Sequence, residues 1–261
     1  MTYVKHLPPN PAGRDFVIGD LHGYRELLDR LMKKVSFDKT CDRLFSVGDI
    51  VDRGPDSPEC LSLLEEPWFY AVRGNHEQML VESVLCDDRL FDTWATRGGR
   101  WAQEWRKSDE IKAWAETVSR LPLVLVVGKG SDRFNVMHGE FFGTDAQLDA
   151  GLLSAQDRED ILWGRKLARG LAFDPQHGLS LTFCGHSILP SCRKIGQQIF
   201  LDTGAFKGDG LLTMAEVVPG SPFTVKLYQT ENFSVPSELS SVRRFLEKLN
   251  PLRGNPQVMT V

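Results

Sequence analysis

Leu44-Phe45-Ser46-Val47-Gly48-Asp49-Ile50-Val51-Asp52-Arg53-Gly54 begins as a mostly apolar run and turns at Gly48 into a loop carrying three charges. That is the pattern of a strand that ends in a tight loop and delivers polar groups at its carboxyl end. The pattern occurs on both sides. Upstream, Phe16 to Ile18 leads into Gly19-Asp20-Leu21-His22-Gly23; downstream, Phe69 to Val72 leads into Arg73-Gly74-Asn75-His76-Glu77. Leu27, Leu28, Leu31, Met32 and Val35 recur with helical period between the first two runs. Ser57 and Pro58 predict an N-cap and first-turn proline for a helix carrying Leu61, Leu63 and Leu64, and a third helix is expected through Leu85. Strand, loop and helix in alternation predict a parallel or mixed sheet covered by helices. Parallel strands end on a common edge, so the three polar loops should converge in space.

Residues 86 to 120 break this rhythm and read as a small helical insertion. Trp94, Trp101 and Trp105 share one helical face, with Gly98-Gly99 interrupting it, and with Trp114 they are expected to form the core of the insertion, not a substrate platform. Leu123 to Val127 and Phe134 to Met137 flank a turn-like segment and predict a hairpin, with His138 at its exit. A helical stretch around Ala146 to Ile161 follows. Strands over Leu179 to Cys184, Gln198 to Leu201 and Leu211 to Val218 suggest a second sheet, giving an α/β fold of two sheets flanked by helices. One more strand, Phe223 to Tyr228, and a helix, Ser237 to Leu249, are expected beyond Pro219. The domain reading is therefore a catalytic unit over 1–218, with the insertion at 86–120, and an extension over 219–261.

With 261 residues, 41% of them hydrophobic, the chain can build a substantial core. A net charge of −4 provides no global attraction to nucleic acid or anionic membrane. No stretch approaches the ~18 apolar residues of a membrane span, and the start lacks the apolar centre of a signal peptide. Five cysteines, Cys41, Cys60, Cys86, Cys184 and Cys192, have no CxxC spacing and suit free thiols. A cytoplasmic location is the expectation.

Four of the six histidines, His22, His76, His138 and His186, fall at predicted strand ends or just after them, whereas His6 and His177 lie in loops with no partner motif. Together with Asp20, Asp49 and Asn75 they form an oxygen and nitrogen donor set without thiolate, suited to two Mn, Fe or Zn ions with Asp49 as the natural bridge. Such a site binds phosphate and generates hydroxide at neutral pH for direct attack at phosphorus. Arg53 and Arg165 are candidates to neutralise phosphate oxygens. His76 can protonate the leaving group, oriented by Asp52.

These motifs resemble the phosphoprotein phosphatases among the metallophosphoesterases, most closely their compact bacterial and bacteriophage branch. The resemblance extends over residues 14 to 218 and includes Val136-Met137-His138, Trp163-Gly164-Arg165, Cys184-Gly185-His186 and Leu201-Asp202-Thr203-Gly204-Ala205. It implies a calcineurin-like sandwich of two mixed sheets and a Mn-dependent phosphomonoesterase acting on phosphoserine and phosphothreonine of proteins, often phosphotyrosine too. By the same resemblance Asp20, His22 and Asp49 match one metal site, and Asp49, Asn75, His138 and His186 the other. Arg53 and Arg165, with Asn75, match the phosphate contacts, and His76 with Asp52 the acid pair. Arg73 is expected to face phosphate or to pair with Glu77. Gly139-Glu140 departs from the usual family residues, which places Glu140 in an expected substrate-facing loop.

Two rivals remain at this level. A symmetrical diadenosine tetraphosphate hydrolase shares the metal core, but its relatives tend to carry Ala-Arg-Gly where this chain has Asp52-Arg53-Gly54. A noncatalytic scaffold of the same fold should have lost ligands or the acid, and every expected position is present.

Overall fold

The computed structural model describes residues 3–173, 176–218, 224–230 and, as backbone, 257–260. Twelve strands among these form two six-stranded sheets. In the first, β2 (Asp15–Ile18), β3 (Arg43–Ser46) and β4 (Phe69–Ala71) run parallel, as the three apolar runs predict. Their register aligns Ile18 with Ser46 and Ser46 with Ala71, so the polar loops leave one edge together. The second sheet has the order β1-β5-β6-β7-β9-β8, with β1 Val4–Leu7, β5 Val124–Val127, β6 Phe134–Met137, β7 Leu181–Cys184, β8 Arg193–Ile195 and β9 Gln198–Phe200. β5 and β6 form the expected hairpin. β6, β7 and β9 are parallel and send their carboxyl ends to a second set of loops.

Period-2 alternation sorts the core into layers. Val17, Phe45 and Val47 face Leu125, Val127, Val136 and Phe183 between the sheets. Phe16, Ile18 and Leu44 point the other way, onto Leu27, Leu28 and Leu31 of α1 (Arg25–Lys34). Val124, Val126 and Phe200 pack outward on Leu148 of α6 (Asp145–Asp149) and Ile161 of α7 (Ala155–Trp163). Among the described residues no helix is long and apolar enough to cross a membrane. All five cysteines are free thiols.

Three sequence expectations change. The Leu211 to Val218 run does not join the second sheet: β10 (Thr213–Val218) pairs antiparallel with β2, and β11 (Thr224–Gln229) and β12 (Gln257–Thr260) continue the first sheet outward. Apolar periodicity gives a strand but not its partner. His6 is not in a loop; it lies exposed in edge strand β1, which pairs with β5 and has too few inward residues to show a pattern. Ser57 is not an N-cap: α2 (Ser57–Leu61) starts at Ser57 itself, and its hydroxyl accepts a hydrogen bond from the Asp52 N–H at 2.9 Å. The expected helix Ser237–Leu249 lies outside the described residues.

The 86–120 insertion is helical, with α4 (Phe91–Thr96) and α5 (Asp109–Ser119) joined through a 3-10 turn at 99–105 and a break at Gly98. It packs beside α3 (Asn75–Val81), which opens directly at the third polar loop. α2 and α3 thus bracket the loop that carries Asp52.

Candidate active site

The loops after β2, β3, β4, β6 and β7 meet at one edge of the sandwich. They bring Asp20, His22, Asp49, Asn75, His76, His138 and His186 together, all buried. The backbone is shaped for this at a cost. Of eight non-glycine residues at positive φ among the described residues, five stand here: His22, Asp49, Asp52, Arg53 and His186. Left-handed geometry at such residues persists only where surroundings enforce it. Two glycines allow the approach: a Cβ on Gly74 would come within 2.3 Å of Asp49 Oδ1, and one on Gly185 within 2.0 Å of Asp20 Oδ1.

Glu77 supplies much of the enforcement. Its buried carboxylate accepts from the N–H groups of Asp49 at 2.7 Å, Ile50 at 2.8 Å, Val51 at 3.3 Å and Gly74 at 2.8 Å. Burial, reinforced by the nearby Asp49 charge, pushes Glu77 up to about 7. Arg73 points towards the insertion, donating to Gln78 Oε1 and to the carbonyls of Ser119 and Leu121.

Asp49 belongs to two donor triads, one with His22 and His76 and one with His138 and His186. Its Oδ2 lies 3.7 Å from His22 Nε2 and its Oδ1 3.4 Å from His138 Nε2. Asp20 Oδ2 is 3.9 Å from His22 Nε2. Both Asp20 oxygens also accept from the His186 N–H at 3.1 Å. His22 Nδ1 sits 3.0 Å from the Val51 carbonyl, and His138 Nδ1 2.9 Å from that of Val47. Those carbonyls demand an Nδ1–H, so each Nε2 presents a lone pair. Burial holds His22 and His138 below the usual histidine range and His186 down to about 2, keeping all three neutral. Burial opposes ionisation of Asp49, but the histidines facing it, of which His76 alone is held above the usual histidine range, outweigh burial and keep its carboxyl below the ordinary carboxylate range.

His138 Nε2 therefore aims a lone pair at Asn75 Oδ1, 2.8 Å away, and at Asp49 Oδ1, with His186 Nδ1 at 3.1 Å. Asp49 Oδ1 also accepts from the His76 N–H at 2.9 Å and His186 Nδ1 faces Arg165 Nη2 at 3.4 Å, but His138 Nε2 and Asn75 Oδ1 meet acceptor to acceptor, and a divalent cation is what relieves that repulsion. The residues fit a metal pair. The arrangement is hard in its oxygens, borderline in its imidazoles and free of thiolate.

His76 differs from the other histidines. Its Nδ1 faces a carboxylate, Asp52 Oδ2, at 2.7 Å. Burial disfavours its cation, yet Asp49 and Asp52 outweigh that and hold it above the ordinary histidine range. Arg53 reaches across to His22 Nε2 and, at 2.8 Å, His76 Nε2, with its guanidinium 4.1 Å above the Phe206 ring. Arg165 enters from the opposite side, donating to the His186 carbonyl at 2.8 Å.

Four residues stand at the site in places to which the sequence assigned them no role. Asp202, beside Asp20, is pushed up to about 6, chiefly by burial; it follows β9 directly, the same strand-then-charge pattern as the named motifs. Phe206 has no sequence signal. Trp94 and Trp101 belong to the insertion core as expected, but their indole N–H groups both donate to Asp52 at 2.7 Å. Glu140 is a correction: it is fully buried and its two oxygens accept from the Lys166 and Leu167 N–H groups at 2.7 Å. It fastens the segment after Arg165 and does not face substrate.

The model of the calcineurin-like phosphoesterase family matches residues 16–202. Serine/threonine-protein phosphatase 1 of Salmonella typhimurium is 34% identical over 77% of this chain and 91% of its own length. Serine/threonine-protein phosphatase 2 of Escherichia coli is 29% identical over 73% of the chain and 87% of its own. A symmetrical bis(5'-nucleosyl)-tetraphosphatase of Pasteurella multocida is 43% identical, but over 27% of this chain and 26% of its own. Among solved structures, a putative diadenosine tetraphosphatase superposes with a TM-score of 0.62 at 21% identity, covering 90% of this chain and 100% of the other. A yeast protein serine/threonine phosphatase gives 0.59 at 19%, covering 87% and 82%. At these identities the superpositions speak to the two-sheet fold alone.

Proposed function

This chain belongs to the calcineurin-like phosphoesterases, a family of metal-dependent hydrolases, and on that premise we propose that it is a protein phosphatase hydrolysing phosphoserine and phosphothreonine monoesters. The observation that carries this reading is the Asp52–His76 pair, which ties a histidine beside shared Asp49 to a buried carboxylate, with Arg53 on the same turn. The phosphatase-named relatives align in sequence over most of both chains, whereas the tetraphosphatase sequence match is confined to 72 residues.

In this reading Asp20, His22 and Asp49 would hold one metal ion and Asp49, Asn75, His138 and His186 the other, with Mn2+ the first choice and Fe or Zn compatible with the donors. Such ions supply Lewis acidity toward phosphate oxygens and an activated water. Arg53 and Arg165 approach from opposite sides and neutralise the nonbridging oxygens, which spread charge as the leaving bond opens. Asn75 adds an amide to the same space. His76 is set apart from the ligands by its carboxylate partner. Asp52 fixes its tautomer with the proton on Nδ1 and favours the imidazolium; Nε2, which faces the Arg53 guanidinium at 2.8 Å, is the atom that carries a proton to the departing alkoxide once Arg53 turns to the phosphate oxygens.

The test uses purified protein with each metal added singly, comparing a phosphoserine peptide, a phosphotyrosine peptide and diadenosine tetraphosphate. A higher kcat/KM on the phosphoserine peptide is expected. A strong preference for the dinucleotide overturns the reading in favour of the tetraphosphatase, and absence of turnover with every metal favours a scaffold.

A further inference from the structure

Asp52 is fully buried, and both its oxygens are committed. Oδ1 accepts from the Trp101 indole, and Oδ2 from the Trp94 indole and His76 Nδ1, each at 2.7 Å. An indole N–H can only donate, so the direction of these bonds is unambiguous. A buried tryptophan usually finds some acceptor, and a nearby carbonyl would suffice. Here two indoles from different turns of the insertion choose one carboxylate, the one that also holds His76.

The backbone of the insertion grips the same turn. Asp52 and Arg53 stand at φ 73° and 71°, and the Arg53 N–H donates to the Gly98 carbonyl at 3.0 Å. A Cβ on Gly98 would lie 2.9 Å from Arg53 Cγ and 3.1 Å from Asp52 Cβ, and one on Gly99 would lie 2.3 Å from the Trp94 ring. Gly98-Gly99 is thus a place of close approach as well as a helix break. The indoles themselves are locked, Trp94 edge-on to Phe91 at 5.3 Å and Trp101 against Trp105 and Trp114 at 5.9 Å.

We propose that Trp94 and Trp101 are positioning residues for phosphoester cleavage, clamping both oxygens of Asp52 and so fixing the orientation of His76. The insertion then belongs to the acid apparatus of the site and is more than cover for a sheet. This inference rests on the reading of His76 as the leaving-group acid.

A leaving-group comparison separates positioning from packing. A phosphoserine peptide releases an alkoxide that needs a proton, whereas p-nitrophenyl phosphate releases a phenolate that does not. Trp94→Phe and Trp101→Phe remove the donors but leave space. A second pair, with the indole at 94 or 101 replaced by benzothiophene, keeps ring shape and removes only the N–H. With metal content matched to the parent, each isostere is expected to lose ~10-fold or more in kcat on the peptide with KM little changed, and less than ~3-fold on the aryl ester. Equal losses on both esters, or none on the peptide, overturn the proposal. His76→Asn is measured alongside: if it shows the leaving-group pattern and the isosteres do not, the positioning role fails alone. If His76→Asn lacks the pattern, the acid reading fails and takes the positioning role with it.

Discussion

Ser57→Ala removes one oxygen from the protein and tests whether the Asp52 turn is held from behind. Ser57 and Asp52 are both fully buried, and the Ser57 hydroxyl is the acceptor for the Asp52 N–H at 2.9 Å. Without it, a buried N–H on a residue at φ 73° has lost its acceptor. Leaving such a donor unsatisfied costs about 1–3 kcal/mol, a sizeable part of a typical total of ~5–15 kcal/mol. At ~2–4 °C per kcal/mol for a chain of this size, the thermal midpoint should fall by about 5 °C. The turn carries both Asp52 and Arg53, so its relaxation should also misorient His76 and lower kcat on a phosphoserine peptide by roughly tenfold, a part of the ~10²–10⁴ that acid catalysis contributes in full. Differential scanning calorimetry and steady-state kinetics on the same preparation provide both numbers. A midpoint within ~1 °C of the parent together with unchanged kcat would refute the reasoning, because a 1–3 kcal/mol penalty cannot hide in so small a shift.

Asp49→Asn weakens the one carboxylate common to both donor triads, and equilibrium dialysis should show metal affinity reduced by about tenfold or more. His76→Asn should retain its metal by the same measurement while losing turnover on the phosphoserine peptide. Glu140→Gln turns a donor towards either the Lys166 or the Leu167 N–H. Because burial already holds Glu140 above the usual carboxylate range, the cost should sit near the lower end of ~1–3 kcal/mol, and the loosened segment beside Arg165 should raise KM more than it lowers kcat. Burial of Asp42 works against its ionisation, but the Arg14 guanidinium and the N–H groups of Arg14 and Asp38 outweigh it and hold the carboxyl below its ordinary range. Its stabilisation is complete above the unfolded pKa of ~3.9 and is lost as pH falls below that. Asp42→Asn should therefore be less stable than the parent in urea at pH 7, with the gap closing towards pH 3; a gap independent of pH would show that the Arg14 pair is not its source.

The sequence read far into this site for a specific physical reason. Polar loops at strand ends combine apolar runs, glycines and a restricted donor set, all of which are local signals. Asp20, His22, Asp49, Asn75, His76, His138 and His186 could be named from those signals before any contact was known. Glu140 could not be placed that way, since its identity beside His138 suggests substrate while its carboxylate is spent on two backbone N–H groups. Ser57 likewise reads as a cap from its neighbour Pro58 and proves to be an acceptor for Asp52.

By itself the chain's sequence determined the strand-loop-helix alternation, the chemistry of the donors and the sheet edge at which they gather. Only the tertiary structure decided that β10 pairs with β2, that Asp49 stands in both triads, and that Trp94 and Trp101 converge on Asp52. Periodicity records which face of an element is buried, because each residue's polarity answers to the face it occupies. Which distant side chain meets it across that face depends on packing, and on five left-handed residues whose strain is paid for by partners far away in the chain.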